Sequence, residues 1–237
     1  MSLFIDIEGI DASGKTAVSC CIKKVLEERG YSVDLLSKKE PYIDKPEIAL
    51  YLRDLSALVW NKNPRVFPKE FLSGDAWALQ LALWFKVLHE NCVLPNKSEI
   101  VLVDGWYYKY YARLLQNSQN NRDLVEVLLD TLNTCTYVFC LDVAPETCWS
   151  RRKEFKLTET APFGEIPNDP KMSFIKFQGA ILDVLKSLGN RYRNWDIIDG
   201  NARNLEEIVL EIVKKIEVLI NDKRETGLYY SSTDICG

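Results

Sequence analysis

The sequence predicts an α/β fold in which a parallel sheet carries helices on both faces. Two observations predict it. Short aliphatic runs alternate along the chain with segments of helical periodicity, the pattern of strands joined by crossover helices. The first such unit also contains Gly9-Ile10-Asp11-Ala12-Ser13-Gly14-Lys15-Thr16, which meets the phosphate-loop pattern G-x-x-x-x-G-K-[ST] at every fixed position, with a strand before it and a helix after it. Its glycines let the backbone wrap so that successive N–H groups of Gly9, Ala12, Ser13 and Gly14 face phosphate oxygens. The helix that follows adds its positive N-terminal end. Lys15 is placed to reach β- and γ-phosphates, and the Thr16 hydroxyl to bind Mg²⁺.

Taken in order, Leu3-Phe4-Ile5-Asp6-Ile7 reads as the first strand and residues 17–29 as a helix that Gly30 ends. Tyr31-Ser32-Val33-Asp34-Leu35-Leu36 is the second strand. Pro46 opens a helix over about 47–60, and Asn61-Lys62-Asn63-Pro64 breaks it. Residues 68–94 read as mostly helical, with Ala76, Leu79, Leu83 and Val87 predicted as the buried face because they recur three and four apart. Strands are predicted at 99–104, 137–143 and 195–199. Helices are predicted at 107–115, 122–132, from Pro145, at 172–188 and at 205–219. The irregular stretch 157–170, with three prolines and a glycine, is of the length at which a loop inside a domain tends to be functional. The expected organisation is one domain over 1–223, with a lid at about 151–170 and a loosely held tail at 224–237.

Composition narrows the function classes. Lys+Arg number 30 against Asp+Glu 34, a net charge of -4, which gives no electrostatic reason to expect a nucleic-acid partner. The seven cysteines make no C-x-x-C pair and mostly sit in apolar stretches, so neither a disulfide framework nor a zinc site is expected. There is no secretory pattern at the start, and no apolar run approaches the roughly 18 residues of a membrane span. A reducing, cytoplasmic setting with no membrane partner is expected.

Several side chains are candidates for chemistry. Asp104 ends a hydrophobic strand at the edge where open α/β sheets bind ligands, so it reads either as a Mg²⁺-holding acid or as a strand-end cap. Arg151 and Arg152 lead into the long loop and can close over a phosphoryl group in transfer; the alternative is a solvated basic face. Glu40-Pro41 follows the second strand and can meet a substrate hydroxyl or serve as a turn. Asp11 faces the acceptor side of the loop, towards a sugar hydroxyl or solvent. Arg53 can fork an acceptor phosphate or decorate a helix surface. Aromatic residues crowd positions 77–111, Trp84 and Tyr108 among them, and can stack on a base or fill the core. Gln80 can offer a donor and an acceptor to a base edge. His89 has no partner triad and reads as structural.

In this order the pieces resemble the thymidylate kinase family of P-loop nucleoside monophosphate kinases. The likeness rests on residues 4–16, on Glu40-Pro41, on Val101-Leu102-Val103-Asp104, on Leu141-Asp142-Val143-Ala144-Pro145-Glu146-Thr147 with Arg151 and Arg152, and on Ile197-Ile198-Asp199. It implies a three-layer P-loop kinase fold with a five-stranded parallel sheet and a lid, ATP and Mg²⁺ as cofactors, nucleotide substrates and a homodimer. It also implies that Asp11 approaches the deoxyribose 3′-hydroxyl. Ala12, where some members carry an arginine, resembles the subgroup whose catalytic arginine comes from the lid. The departures lie on the acceptor side. The family's Asp-Arg pair is Asp104-Gly105 here, with Lys109 and Arg113 as nearby replacements, and the thymine-reading positions fall on Gln80 and Trp84. The implied activity is ATP-dependent phosphorylation of a deoxynucleoside monophosphate, dTMP to dTDP. A deoxynucleoside kinase with Glu40 as general base, and a nucleotide-binding protein without turnover, remain open alternatives.

Overall fold

The structure, a computed structural model, describes residues 2–60, 72–117, 120–132, 134–162 and 166–226. Five parallel strands form one sheet in the order β2-β3-β1-β4-β5. They are β1 (Leu3–Gly9), β2 (Val33–Leu36), β3 (Ile100–Asp104), β4 (Tyr137–Asp142) and β5 (Trp195–Asp199). Helices flank the sheet: α1 (Lys15–Glu28), α2 (Pro46–Val59), α3 (Gly74–Leu88), α4 (Tyr108–Leu115), α5 (Arg122–Leu132), α6 (Pro145–Ser150), α7 (Leu157–Thr160), α8 (Pro170–Arg191) and α9 (Leu205–Thr226). The predicted break at 61–64, the predicted helix start near 68, part of the expected lid at 163–165 and the tail from 227 lie outside the described residues.

β1 is central and wholly buried, which explains its nearly unbroken apolar sequence. From β1 the chain builds towards β3 and β2 on one side, and later towards β4 and β5 on the other. The crevice this leaves at the carboxyl end of β1 is where a doubly wound sheet binds its ligand. The register brings the strand ends together there, with Ile7 beside Asp104 and Gly9 beside Leu141.

Local chemistry accounts for the element ends. Gly30 (φ 90°) follows α1 in the left-handed conformation, with its N–H on Glu27 O (3.0 Å) and the Tyr31 N–H on Leu26 O (3.1 Å). Both bonds belong to a Schellman cap. Tyr31 is spent on that cap, so β2 begins at Val33 and not at Tyr31 as predicted. Pro46 opens α2, and Ser73 caps α3 by accepting from the Ala76 N–H at 3.1 Å.

One predicted face is corrected. Leu79 and Leu83 of α3 are 51% and 46% exposed, whereas Ala78, Leu81, Ala82, Trp84, Phe85 and Leu88 are buried. The helix is apolar almost all round, so spacing alone could not choose its core face. A π-helical turn at His89–Val93 then ends the segment. α9 runs to Thr226, beyond the predicted end at 219, with Arg224 bound to Glu99 at 2.8 Å.

Candidate active site

The loop after β1 folds as its residue types require. A Cβ at Gly9 would lie 2.9 Å from Ser13 Oγ and 3.1 Å from the Leu141 carbonyl oxygen, so only glycine fits. Ala12 adopts φ 63°, a conformation that costs a side-chain-bearing residue about 1–2 kcal/mol. Lys15 is buried and folds back over the loop, donating to the carbonyl oxygens of Gly9 (2.8 Å) and Ile10 (2.6 Å). Burial, with Lys109 adding to it, brings its ammonium down to about 8, against the opposing pull of Asp11, Glu8 and Asp104.

The Thr16 hydroxyl donates to Asp104 Oδ2. A hydroxyl and a carboxylate so close together are hard oxygen donors of the kind Mg²⁺ prefers. Among the described residues no cluster of three or more His, Cys, Asp or Glu could hold a metal on its own. Arg151 Nη1 donates to Ser13 O at 2.8 Å, which lays the guanidinium beside the loop. Arg152 instead pairs with Glu159 at 3.1 Å and lies 4.6 Å from the Phe155 ring centre.

Two cavities open at this edge of the sheet. The larger, about 780 Å³, runs over the phosphate loop past Lys15, Thr16, Asp104, Arg151 and Arg152. The smaller, about 350 Å³, is walled by Trp60, Trp77, Phe177, Leu58 and Asn117. Asp11, Lys39, Lys109 and Tyr110 line both, so the two cavities meet there.

Asp11 is the hub of that junction. Its Oδ1 accepts from Lys109 Nζ at 2.8 Å, and its Oδ2 accepts from Arg113 and, at 3.0 Å, from Gln178 Nε2. Burial alone would raise its carboxyl, but Lys109, Arg113 and Lys15 outweigh burial and hold it well below the usual carboxylate range. Gln178, fully buried on α8, also accepts from the Asp11 N–H (3.1 Å) and donates to Glu159 O (2.7 Å). It therefore ties the loop to the segment that carries Glu159 and Arg152. Nothing in the sequence singled out Gln178, because its partners lie 167 and 19 residues away.

Two acceptor-side expectations, Trp84 and Tyr108, need correction. Trp84 is fully buried, and its indole N–H donates to Lys38 O at 2.9 Å, so it supports the site from below and presents no face to a base. Tyr108 is fully buried against Trp195, with ring centres 4.9 Å apart. Arg53 is exposed and bound to its neighbour Asp54 at 3.2 Å. Arg53, Glu40, Pro41 and Gln80 are not among the residues lining the two cavities. The aromatic lining comes from Trp60, Trp77, Tyr110 and Phe177, of which Trp77 and Tyr110 stood in the aromatic run singled out above.

Beneath the loop lies a second unforeseen feature, a buried acid pair on β1. Both oxygens of Asp6 are buried with no side-chain hydrogen-bond partner among the described residues, and Asp6 sits in register between Val103 and Val138. Burial pushes its carboxyl well up. Glu8 and Asp104 push the same way, while Lys38 and the Trp106 backbone N–H offset part of this. A carboxyl raised by folding binds its proton more tightly in the native state. Its contribution to stability is therefore complete below its unfolded value near 3.8 and is lost as pH rises through its native value. Asp6→Asn, which keeps the shape and cannot ionise, is expected to be more stable than the parent by at least about 1 kcal/mol at pH 8. The gain should shrink towards pH 4 in urea melts, and a gain independent of pH would remove this account.

The fold matches that of a known protein. No family model matches the chain. The solved structure of thymidylate kinase from Candida albicans superposes with a TM-score of 0.60 over 93% of each chain at 16% identity, which establishes a shared fold. The architecture is that of a P-loop kinase. In sequence the chain is 26% identical over 220 residues to the "Probable thymidylate kinase 2" of Saccharolobus solfataricus, covering 90% of this chain and 94% of that one. It is also 26% identical over 222 residues to the thymidylate kinase of Blochmanniella pennsylvanica, again over 90% and 94%. The chain is thus similar in sequence to thymidylate kinases along nearly its whole length.

Proposed function

We propose that the protein transfers the γ-phosphoryl group of ATP to a deoxynucleoside monophosphate, converting dTMP to dTDP. The observation that carries this reading is the junction of the two cavities: a phosphate-loop cleft opens directly onto an aromatic-walled pocket across Asp11, Lys39, Lys109 and Tyr110. A donor in one and an acceptor in the other would bring their phosphates together at that junction. Lys15 and the loop N–H groups bind and orient the β- and γ-phosphates, and Arg151, beside the loop, screens the charge on the equatorial oxygens, while Arg152 is held by Glu159. Thr16 and Asp104 would hold Mg²⁺, which supplies neutralising charge between the phosphates when bound. An acceptor phosphate oxygen forms the new bond to γ-phosphorus as the bond to the β–γ bridging oxygen breaks, and ADP leaves with that electron pair. A phosphate oxygen is already anionic, so the acceptor needs no general base.

The nucleoside reading requires Glu40 at the acceptor, and Glu40 is exposed and outside both cavity walls. A single domain with the 151–170 segment as lid, a cytoplasmic setting and a homodimer complete the proposal. No described helix is long and apolar enough to cross a membrane. The exposed Leu79 and Leu83 on α3 support the homodimer, and a monomer in sedimentation at assay concentration would remove that part. The reading as a whole is tested by ADP release with ATP, Mg²⁺ and a panel of nucleoside monophosphates and deoxynucleosides. Turnover is expected on dTMP, with nucleosides silent. Turnover on nucleosides alone, or on nothing while ATP still binds, would overturn it.

A further inference from the structure

Resting on the monophosphate reading above, we propose that Lys109 and Arg113 on α4 form the receptor for the acceptor's phosphate, and that Asp11 is the internal anion this phosphate displaces. Three observations converge on it.

The position after β3 cannot supply the charge. Gly105 has φ 75°, and a Cβ there would lie 2.8 Å from Lys38 Nζ and 3.0 Å from Glu8 Oε2. Lys38 donates to the carbonyl oxygens of Asp104 and of Gly105 (2.8 Å), so its ammonium occupies the space in which a side chain at 105 would begin. A cation for the acceptor must come from elsewhere.

α4 provides two. Lys109 and Arg113 lie four residues apart, on one face of the helix. Lys109 lines both cavities and Arg113 the smaller one. The Lys109 backbone N–H is fixed by Glu8 Oε1 at 2.7 Å, which anchors the start of the helix against β1.

Both cations turn to the cavity junction. Among the described residues Asp11 is the one acid ion-paired with both, and the side chains of Lys109 and Arg113 are only 10% and 15% exposed. Arg113 Nε is buried with no hydrogen-bond partner among the described residues. Two enclosed cations share one carboxylate at the junction of the cavities, and Glu8, on β1, is a further acid close to Lys109. A phosphate offers two or three oxygens to the guanidinium fork and the ammonium, where Asp11 offers two, of which Oδ2 is also shared with Gln178.

The test compares equilibrium binding of each nucleoside monophosphate with that of its nucleoside, by calorimetry, for the parent, Lys109→Met, Arg113→Met and Arg113→Lys. Each single variant leaves Asp11 one cationic partner, so the fold should hold, and a melting curve checks it. The parent is expected to prefer the monophosphate over the nucleoside. Each Met variant should lose roughly 10- to 100-fold in monophosphate affinity, with nucleoside affinity unchanged within about twofold. Arg113→Lys should recover part of the loss. Met variants that keep the parent's preference would overturn the proposal even if dTMP is phosphorylated, and the kinase reading would then stand alone. A preference lost in the variants of a protein that transfers nothing would sustain the receptor and overturn the kinase reading. A parent that binds no monophosphate would overturn both.

Discussion

Lys15→Ala is expected to lower kcat with ATP and the best acceptor by about 10³-fold or more while the protein stays folded. The ammonium is the one charged group the phosphate loop itself carries towards the donor's β- and γ-phosphates. In the structure it rests on the Gly9 and Ile10 carbonyl oxygens, two neutral acceptors that a polyphosphate readily outcompetes. Removing it should not unfold the chain, because its desolvation opposes folding, as its fall to about 8 shows. The same fall provides a second readout. As pH rises through about 8 the parent loses the ammonium and ATP affinity should drop, whereas Lys15→Ala should show no such step. Near-normal turnover by the variant would mean that the loop is not the donor site.

What was legible beforehand follows from how far each feature reaches along the chain. All five strands are short local patterns and lie where the sequence puts them, except that β2 starts two residues late because Tyr31 is spent on the helix cap. The loop, Thr16 and Asp104 were legible because a spacing and a strand end define them. The acceptor wall was not. Trp84 and Tyr108 have the chemistry of base-stacking residues, but both turned inward: which way Trp84 points on the almost all-round apolar α3 is decided by tertiary packing, and Tyr108 on α4 packs against Trp195, distant in sequence. Trp60, Phe177 and Gln178 reach the site from α2's end and from α8, elements far apart in sequence. Lys38 carried no signal at all, since its role depends on the empty Cβ position of Gly105.

The same dependence on tertiary placement separates the two arginines, which the sequence treats alike. Arg151 lies beside the loop, with Nη1 on Ser13 O at 2.8 Å and 3.7 Å from where a Gly14 Cβ would stand. It can turn its fork to a transferring phosphoryl group without leaving the loop's side. Arg152 is committed to Glu159 and the Phe155 ring, and through the Glu159 backbone to Gln178 and Asp11. Arg151→Ala should therefore cost about 10³-fold in kcat with little change in the KM for ATP, because the charge it meets is largest in the transition state. Arg151→Lys should recover little of this, since an ammonium cannot grip two oxygens in one plane. Arg152→Ala should cost about 10-fold at most, and part of that should appear as a raised KM for the acceptor, transmitted along the Glu159–Gln178–Asp11 chain. Steady-state kinetics on the three variants decides the matter. If Arg152→Ala proves the more damaging, the side chain that meets the phosphoryl group is the one now held by Glu159, and that ion pair must break during each turnover.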